Sequence, residues 1–355
     1  MFETLGLDSL TARDAAVIFG LLLGLAFGAL AEATRFCLRR GLVGEPGERR
    51  AALGVWLMAL AVAVLGTQAA VAADWIGFGE HRFMAADLPL LAIIAGGLMF
   101  GAGMVLTRGC ASRLTVLASS GNLRALTVLV VFAIAAHATL KGLLAPLRTA
   151  LGSYTVPLGE ATSLAALPGG ALPWALAIAA LAGAYALRSG NRPALLAGGA
   201  LIGALVPIGW AGTGFVLFDE FDPIAFESLS FTSPAAETLF WTIASSSIPA
   251  GFGTGLIGGV VAGAATLALI SGRFRWQSFA TPRETLRYLG GAALMGVGGV
   301  LAGGCTVGAG LAGVPTLSLS AIVALASIVA GARAADRALS ASTSGSVAPS
   351  ATRTA

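Results

Sequence analysis

Charged side chains are scarce in this 355-residue chain, since Asp, Glu, Lys and Arg make up only 11% of it and hydrophobic residues make up 57%. Soluble domains average roughly 25% charged residues, so the composition excludes an ordinary water-soluble protein. The net charge of +4 does not indicate a nucleic-acid partner, because no basic stripe with interleaved aromatic residues is present. The composition predicts an all-α integral membrane protein embedded in a lipid bilayer.

Cysteine and histidine are also rare. The two histidines are His81 and His137, and the three cysteines, Cys37, Cys110 and Cys305, lie dozens of residues apart without a C-x-x-C pair. Zinc sites favour closely spaced Cys and His ligands, and thiol–disulfide exchangers favour C-x-x-C. We therefore expect no metal, no cofactor and no enzyme activity.

Long apolar runs, in contrast, are abundant. A helix needs about 20 apolar residues to cross roughly 30 Å of hydrocarbon. The apolar segment 239–248 is too short for that and is followed by Pro249, so we expect a re-entrant half-helix there. Nine runs are close to spanning length: 15–33, 51–73, 90–107, 123–140, 171–187, 194–217, 253–271, 286–302 and 316–332.

The charges of the connecting segments alternate along the chain. Lys and Arg favour the cytoplasmic side of a membrane. The alternation therefore predicts nine crossings of a bacterial inner membrane, with the N-terminus in the periplasm and the C-terminus in the cytoplasm. Net charges of +2 or +3 fall on every second segment: 34–50, 108–124, 188–192, 272–287 and 333–355.

The sequence contains an internal duplication. Gly96–Cys110 and Gly291–Cys305 share 7 of 15 residues when aligned without gaps. A weaker match of 6 in 19 residues aligns 20–38 with 199–217 at an offset of 179. The two matches occur in the same order in both halves of the chain.

The duplication predicts the domain organisation. Residues 1–335 form one transmembrane domain with repeat units of about 15–140 and 195–332, and the Ser-, Ala- and Thr-rich segment 336–355 is expected to be disordered. Since an odd number of spans separates equivalent helices, the repeats are inverted. Inverted repeats place substrate sites near the bilayer midplane, at the ends of broken helices.

The cysteines lie at the ends of predicted spans, and those in the repeated motif follow glycine. Glycine permits loops that fold back into the bilayer, and the next helix then directs free N–H groups and a positive dipole end at an anion. The loop charges place Cys110 and Cys305 on opposite membrane sides, as two ends of one route. The expected substrate-binding residues are Cys37, Cys110, Cys305, Gly109, Gly304, Thr306, Arg108 and Arg113.

Glu32 is the one carboxylate inside an apolar run. A buried charge in a membrane is costly and needs a partner. Arg35 lies three residues further on, so we expect these two side chains to form an ion pair.

Four motifs resemble those of the YeeE/YedE sulfur transport family, over nearly the whole chain to about residue 335. They are Arg35–Arg39 (RFCLR), Thr107–Arg113 (TRGCASR), Phe218–Pro223 (FDEFDP) and Gly303–Gly313 (GGCTVGAGLAG). The resemblance implies an hourglass-shaped inverted repeat whose narrow centre is lined by cysteines that pass thiosulfate along by S–H···S hydrogen bonds. It also implies a cytoplasmic TusA-like sulfurtransferase as the receiving partner.

Carried onto this sequence, the resemblance assigns the relay to Cys37, Cys110 and Cys305. The offset of 179 places Val216, which cannot donate a hydrogen bond, opposite Cys37. Two alternatives share these features: a transporter of another soft anion, such as a selenium or sulfite species, and a membrane thiol oxidoreductase.

Overall fold

The computed structural model describes residues 10–345, which are mostly helical. Strands β1 (Asp87–Leu88) and β2 (Val156–Pro157) pair antiparallel. Single 3-10 turns cover Arg82–Met84, Leu164–Ala166 and Val314–Thr316, and π-helices cover Gly212–Val216 and Thr306–Gly313. The α-helices are α1 (Ala12–Thr34), α2 (Leu38–Val43), α3 (Pro46–Ala72), α4 (Leu90–Leu106), α5 (Ala111–Ser119), α6 (Leu123–Lys141), α7 (Ala145–Gly152), α8 (Ala171–Leu187), α9 (Pro193–Ala211), α10 (Ser233–Ala244), α11 (Phe252–Ile270), α12 (Pro282–Leu301) and α13 (Leu319–Gly345).

Each of the nine predicted spans coincides with one of these helices. Within residues 10–345, eight helices are long and apolar enough to cross a membrane. The ninth, α8, has 17 residues, which is the lower limit for a span. The prediction of an all-α, multi-pass membrane protein is confirmed.

Capping residues fix several of the helix starts. The Thr11 hydroxyl accepts a hydrogen bond from the Asp14 N–H at 3.1 Å before α1, and Asn122 accepts one from the Ala125 N–H at 3.0 Å before α6. These side chains satisfy N–H groups that the first turn leaves unpaired. Proline occupies the first turn of α3, α9 and α12, where its missing N–H breaks no helical hydrogen bond.

Two predicted boundaries are wrong. The short helix expected over 239–248 is α10, Ser233–Ala244, which begins earlier because Pro234 fits the first turn of a helix. The last helix runs to Gly345, through half of the segment 336–355 expected to be disordered, since Ala, Arg and Leu there favour helix. The remainder of that segment, 346–355, lies outside the described residues.

Helix packing is the same in the two halves. α1 packs along α11 as α9 packs along α3, and α4 packs along α13 as α12 packs along α6. α4 also packs against its own counterpart α12, and α1 against α9. Exchanging the halves leaves this pattern unchanged, which is the packing expected of two units related by a two-fold axis.

Glycines allow the closest of these approaches. A Cβ on Gly24 would overlap the carbonyl oxygen of Leu256 on α11, and a Cβ on Gly259 would overlap that of Leu21 on α1. Helices in a bilayer associate largely through such close backbone packing, because lipid is as apolar as their side chains.

Four helices too short to cross a membrane complete the repeats: α2, α5, α10 and the Thr306–Gly313 π-helix. α2 packs on α3 as α10 packs on α11, and α5 packs on α6 as the π-helix packs on α13. Irregular backbone at membrane depth is tolerated only where protein buries it or a water-filled cavity adjoins it. The N-cap residues that precede these four helices are buried in the interior.

Candidate functional site

Each cysteine occupies the N-cap position of a short helix. Cys37 precedes α2, Cys110 precedes α5 and Cys305 precedes the Thr306–Gly313 π-helix. All three are free thiols with at most 3% of their surface exposed. An N-cap side chain lies beside the unpaired N–H groups of the first turn, so each thiol lies next to backbone donors.

The fold brings the three cysteines into one region of the core. The Cys37 thiol neighbours the Cys110 thiol, and Cys110 also neighbours the Thr306 hydroxyl. The Cys110 sulfur lies 3.4 Å from the Ser112 hydroxyl. Cys305 precedes Thr306 in the chain and so lies in the same region. Its sulfur accepts a hydrogen bond from the Gly308 N–H at 3.4 Å.

The expected separation of Cys110 and Cys305 onto opposite membrane sides is therefore wrong. Both turns fold back into the interior, where Thr306 contacts Cys110. Loop charges assign a segment to a side of the membrane, but they do not show how deeply it re-enters. Cys110 and Cys305 face each other across the centre instead of marking its two ends.

One cavity, the arginine-rich vestibule, lies beside this cluster. Its volume is about 440 Å³. Arg113 is almost buried and pairs with Glu32 at 3.3 Å, and Arg273 reaches the same carboxylate at 3.5 Å. Glu32 was expected to pair with Arg35, but partners from α5 and the segment after α11 take that place. The lining includes Glu32, Arg35, Arg40, Arg113, Leu117, Arg273 and Arg275.

A second cavity, the serine-lined vestibule, has a volume of about 710 Å³. The first vestibule adjoins the end of α1 and the second adjoins the segment after α3, so the two open at opposite ends of the helix bundle. Arg113 and Leu117 line the first; their equivalents at an offset of 195, Gly308 and Ala312, line the second. The second is also lined by Arg82, Trp210, Glu227, Ser228, Ser230, Ser233 and Glu237.

Two carboxyl groups of the serine-lined vestibule, Glu227 and Glu237, have raised pKa values. Burial, and then the charge of Glu237, raise the pKa of Glu227 to about 7, although Arg82 opposes the shift. Burial also raises the pKa of Glu237. Burial and then the nearby Arg82 lower the pKa of His81 to about 4. Around neutral pH, His81 is therefore uncharged while Glu227 titrates.

The turns before the cysteines use the predicted glycines. A Cβ on Gly109 would lie 3.1 Å from the Leu114 side chain, so the next helix can pack close to the turn. Gly304 is similarly close to the backbone of Ala309. Arg108 has a left-handed φ of 59° and an exposed side chain, and it does not line the arginine-rich vestibule. The side chain of Arg108 is therefore exposed outside this vestibule, although the residue stands only two positions before Cys110.

The offset of 195 that aligns Cys110 with Cys305 also identifies residues that the sequence analysis missed. It aligns Glu32 with Glu227, Phe36 with Phe231 and Cys37 with Thr232. Val216 lies in the π-helix that continues α9, whereas the counterpart of α2 is α10, which begins after Thr232. The pairing of Cys37 with Val216 is therefore wrong, because an extra 16 residues separate α9 from α10 and change the offset from 179 to 195.

Comparison with known proteins agrees with the resemblance inferred from the motifs. A profile described as Sulphur transport matches residues 33–334, most of the chain. The chain belongs to the sulphur transport family. Its relatives include the thiosulfate transporter TsuA of Spirochaeta thermophila, which is 28% identical over 342 residues, covering 86% of this chain and 93% of that protein. The thiosulfate transporter TsuA of Escherichia coli is 25% identical over 324 residues, covering 83% of this chain and 86% of that protein.

Membership places the cysteine cluster in a transport family. In this member the cluster lies between two vestibules at opposite ends of the bundle, and thiols, hydroxyls and backbone N–H groups surround it. Such groups are weak, replaceable donors to an anion. They are suited to a passage through which an anion moves by successive contacts.

Proposed function

We propose that this member of the sulphur transport family carries thiosulfate across the bacterial inner membrane into the cytoplasm. The observation that carries the proposal is the proximity of the Cys37 thiol to Cys110 and of Cys110 to Thr306, between the two vestibules. Thiosulfate has a soft terminal sulfur and harder oxygens. A thiol can donate to that sulfur, and a hydroxyl can donate to an oxygen.

Energetics require several such contacts. Burying an unpaired ion in a low-dielectric interior costs tens of kcal/mol by Born solvation, so protein groups must replace the water around the dianion in stages. No single group can bind too tightly, or release becomes limiting. A series of weak thiol and hydroxyl donors meets both requirements.

The charge distribution supports the proposed orientation. The arginine-rich vestibule is built from segments 34–50 and 272–287, which carry the positive net charge typical of cytoplasmic segments. In the proposal, thiosulfate enters through the serine-lined vestibule and passes Cys305, then Cys110 and Cys37. Arginines attract it on the cytoplasmic side.

Replacement of Cys110 or Cys305 tests the relay. We expect Cys110→Ala and Cys305→Ala each to lower thiosulfate uptake by at least about tenfold, because a hydrogen bond to a charged group contributes roughly 1.5–3 kcal/mol. Uptake of labelled thiosulfate is measured in cells whose only sulfur source is thiosulfate, at matched protein levels in the membrane. Ser327→Ala, at a buried small side chain on α13, is the control and should transport normally. Full uptake by both cysteine variants would contradict the relay.

Two competing functions are separated by further measurements. If another soft anion is the preferred substrate, selenium or sulfite species will displace labelled thiosulfate at lower concentrations than thiosulfate itself does. The contact between Cys37 and Cys110 is the geometry that a thiol oxidoreductase would need. Transport without bond exchange predicts that both thiols stay reduced during uptake, as measured by the alkylation mass shift.

The proposed acceptor on the cytoplasmic side is a TusA-like sulfurtransferase. The support is the family resemblance together with the arginine-rich vestibule, which would deliver the anion to that side. Co-purification of such a protein with the detergent-solubilised transporter tests the association. Absence of co-purification, even in the presence of thiosulfate, would count against a stable complex.

A further inference from the structure

Thr232 has a buried hydroxyl group without a hydrogen-bond partner among the described residues. Only 3% of the side chain is exposed. Leaving a buried hydroxyl unsatisfied carries a free-energy cost, so such a group calls for a reason. Thr232 lies two residues after Ser230, which lines the serine-lined vestibule together with Leu229, and directly before another lining residue, Ser233.

The position of Thr232 in the repeat is that of Cys37. Both residues are N-caps of the equivalent short helices, Cys37 of α2 and Thr232 of α10, and each follows a phenylalanine. The rings of those phenylalanines, Phe36 and Phe231, pack on the same Phe27 ring, with centroids 6.2 Å and 5.2 Å from it. The starts of α2 and α10 therefore converge on one point of α1.

Thr232 also lies next to the third cysteine. The thiol of Cys305 lies near the backbone of Phe231, the residue before Thr232. Across from it, a Cβ on Gly299 of α12 would lie 3.1 Å from the Thr232 hydroxyl oxygen, so the hydroxyl packs against that helix at a position that has no side chain. Cys37 thus accompanies Cys110 at one side of the centre, and Thr232 accompanies Cys305 at the other.

We propose that Thr232 is a fourth substrate-binding residue, the oxygen-bearing counterpart of Cys37, which donates its hydroxyl hydrogen to an anion oxygen beside Cys305. This inference rests on the proposed transport of a sulfur oxyanion. A hydroxyl forms shorter and stronger hydrogen bonds to oxygen than a thiol does. The route is therefore chemically uneven, with a hydroxyl towards the serine-lined vestibule and a thiol at the equivalent place towards the arginine-rich vestibule.

Conservative replacements of Thr232 test the assignment. Thr232→Val keeps the shape and removes the donor, so we expect thiosulfate uptake to fall by at least about tenfold. Thr232→Ser keeps the donor and should retain most of the uptake. The matched control is Thr67→Val, since Thr67 on α3 is also buried with an unpartnered hydroxyl but caps no short helix. Uptake by Thr232→Val within twofold of wild type, at equal membrane levels, would overturn the proposal.

A labelling experiment separates this inference from the choice of substrate. In a protein with Cys37, Cys110 and Cys305 replaced by serine, Thr232→Cys should react with a small charged methanethiosulfonate reagent, whereas Thr67→Cys should not. Absence of labelling at position 232 overturns its place on the route. Labelling at 232 without any thiosulfate uptake by the wild type would keep the route and refute thiosulfate as its cargo.

Discussion

Two glutamates at equivalent repeat positions have very different surroundings. Glu32 lies between Arg113 and Arg273, so its charge is neutralised within the arginine-rich vestibule. Glu227 shares the other vestibule with two further carboxylates, Glu80 and Glu237, and with one arginine, Arg82. Glu32 therefore binds arginines in the arginine-rich vestibule, whereas the protonation of Glu227 changes the net charge of the serine-lined vestibule.

This difference predicts that uptake depends on external pH. The pKa of Glu227 is raised to about 7 by burial and Glu237, so Glu227 is mostly neutral at pH 6 and mostly charged at pH 8. Its negative charge repels a dianion, and uptake should fall as external pH rises through 7. His81, with a pKa of about 4, stays neutral over this range. Initial uptake rates are measured at fixed internal pH.

Glu227→Gln is the decisive variant for this dependence. It should transport at pH 8 as fast as wild type does at pH 6, with a flat profile between. Glu237→Gln removes the neighbouring charge and should shift the midpoint to lower pH. A wild-type profile that does not change between pH 6 and 8, or a Glu227→Gln profile that still falls, would contradict the role of Glu227.

Among the elements, the pair α1 and α11 has the tightest packing requirement. Gly259 meets the backbone of α1, whereas a Cβ on the preceding Gly258 would approach only the end of the Leu21 side chain, at 3.9 Å. Neighbouring glycines on one helix thus have opposite tolerance for a methyl group. The comparison isolates the effect of backbone approach from the effect of helix propensity.

We expect Gly259→Ala to destabilise the protein and Gly258→Ala to be neutral or slightly stabilising. Overpacking a close interface typically costs 1–3 kcal/mol, whereas alanine favours helix over glycine by about 1 kcal/mol. Thermal unfolding of the detergent-solubilised protein, followed by tryptophan fluorescence, gives the order of midpoints. Equal midpoints for the two variants would show that α1 and α11 can separate at no cost.

The sequence predicts the spanning elements well and the re-entrant elements poorly. Spanning helices need a long apolar run, and every such run proved to be a helix. α2, α5 and the Thr306–Gly313 π-helix are short and begin at Gly- or Arg-containing turns, so their residues resemble connecting loops. Their depth is fixed by packing on α3, α6 and α13, which no local pattern encodes. The cysteines could be identified from the sequence, and the family resemblance implied that they line one centre, but the loop charges alone separated Cys110 from Cys305.

The dependence of the short helices on packing also explains why the sequence aligned Cys37 with Val216 and not with Thr232. The α1 and α9 motifs align at one offset, and the α10 and α12 motifs at another, because of the longer segment between α9 and α10. Only the packing of α10 on α11 shows that the repeat resumes at Phe231 and Thr232. Glu227 and Phe231 were visible in the sequence, as matches to Glu32 and Phe36 at the offset of the stronger repeat.

For the whole molecule, thiol labelling of the two vestibules from either side of the membrane tests the predicted orientation of the protein. In a protein with its three cysteines replaced by serine, Ser233→Cys should be labelled by a membrane-impermeant thiol reagent in intact spheroplasts. Ser120→Cys, in the arginine-rich vestibule, should be labelled only in inside-out vesicles. The reverse result would place the arginines in the periplasm and invert the proposed direction.

The crossed packing of the halves also constrains how the chain is made. α1 has its glycine face filled by α11, and α3 packs along α9, so helices of the first half find these partners in the second. A ribosome must therefore finish Phe252–Ile270 before α1 can dock. Until then, the first four spans lie in the bilayer without the second-half helices that pack against their backbones. Cutting the chain between α7 and α8 should yield two pieces that accumulate only when they are synthesised together.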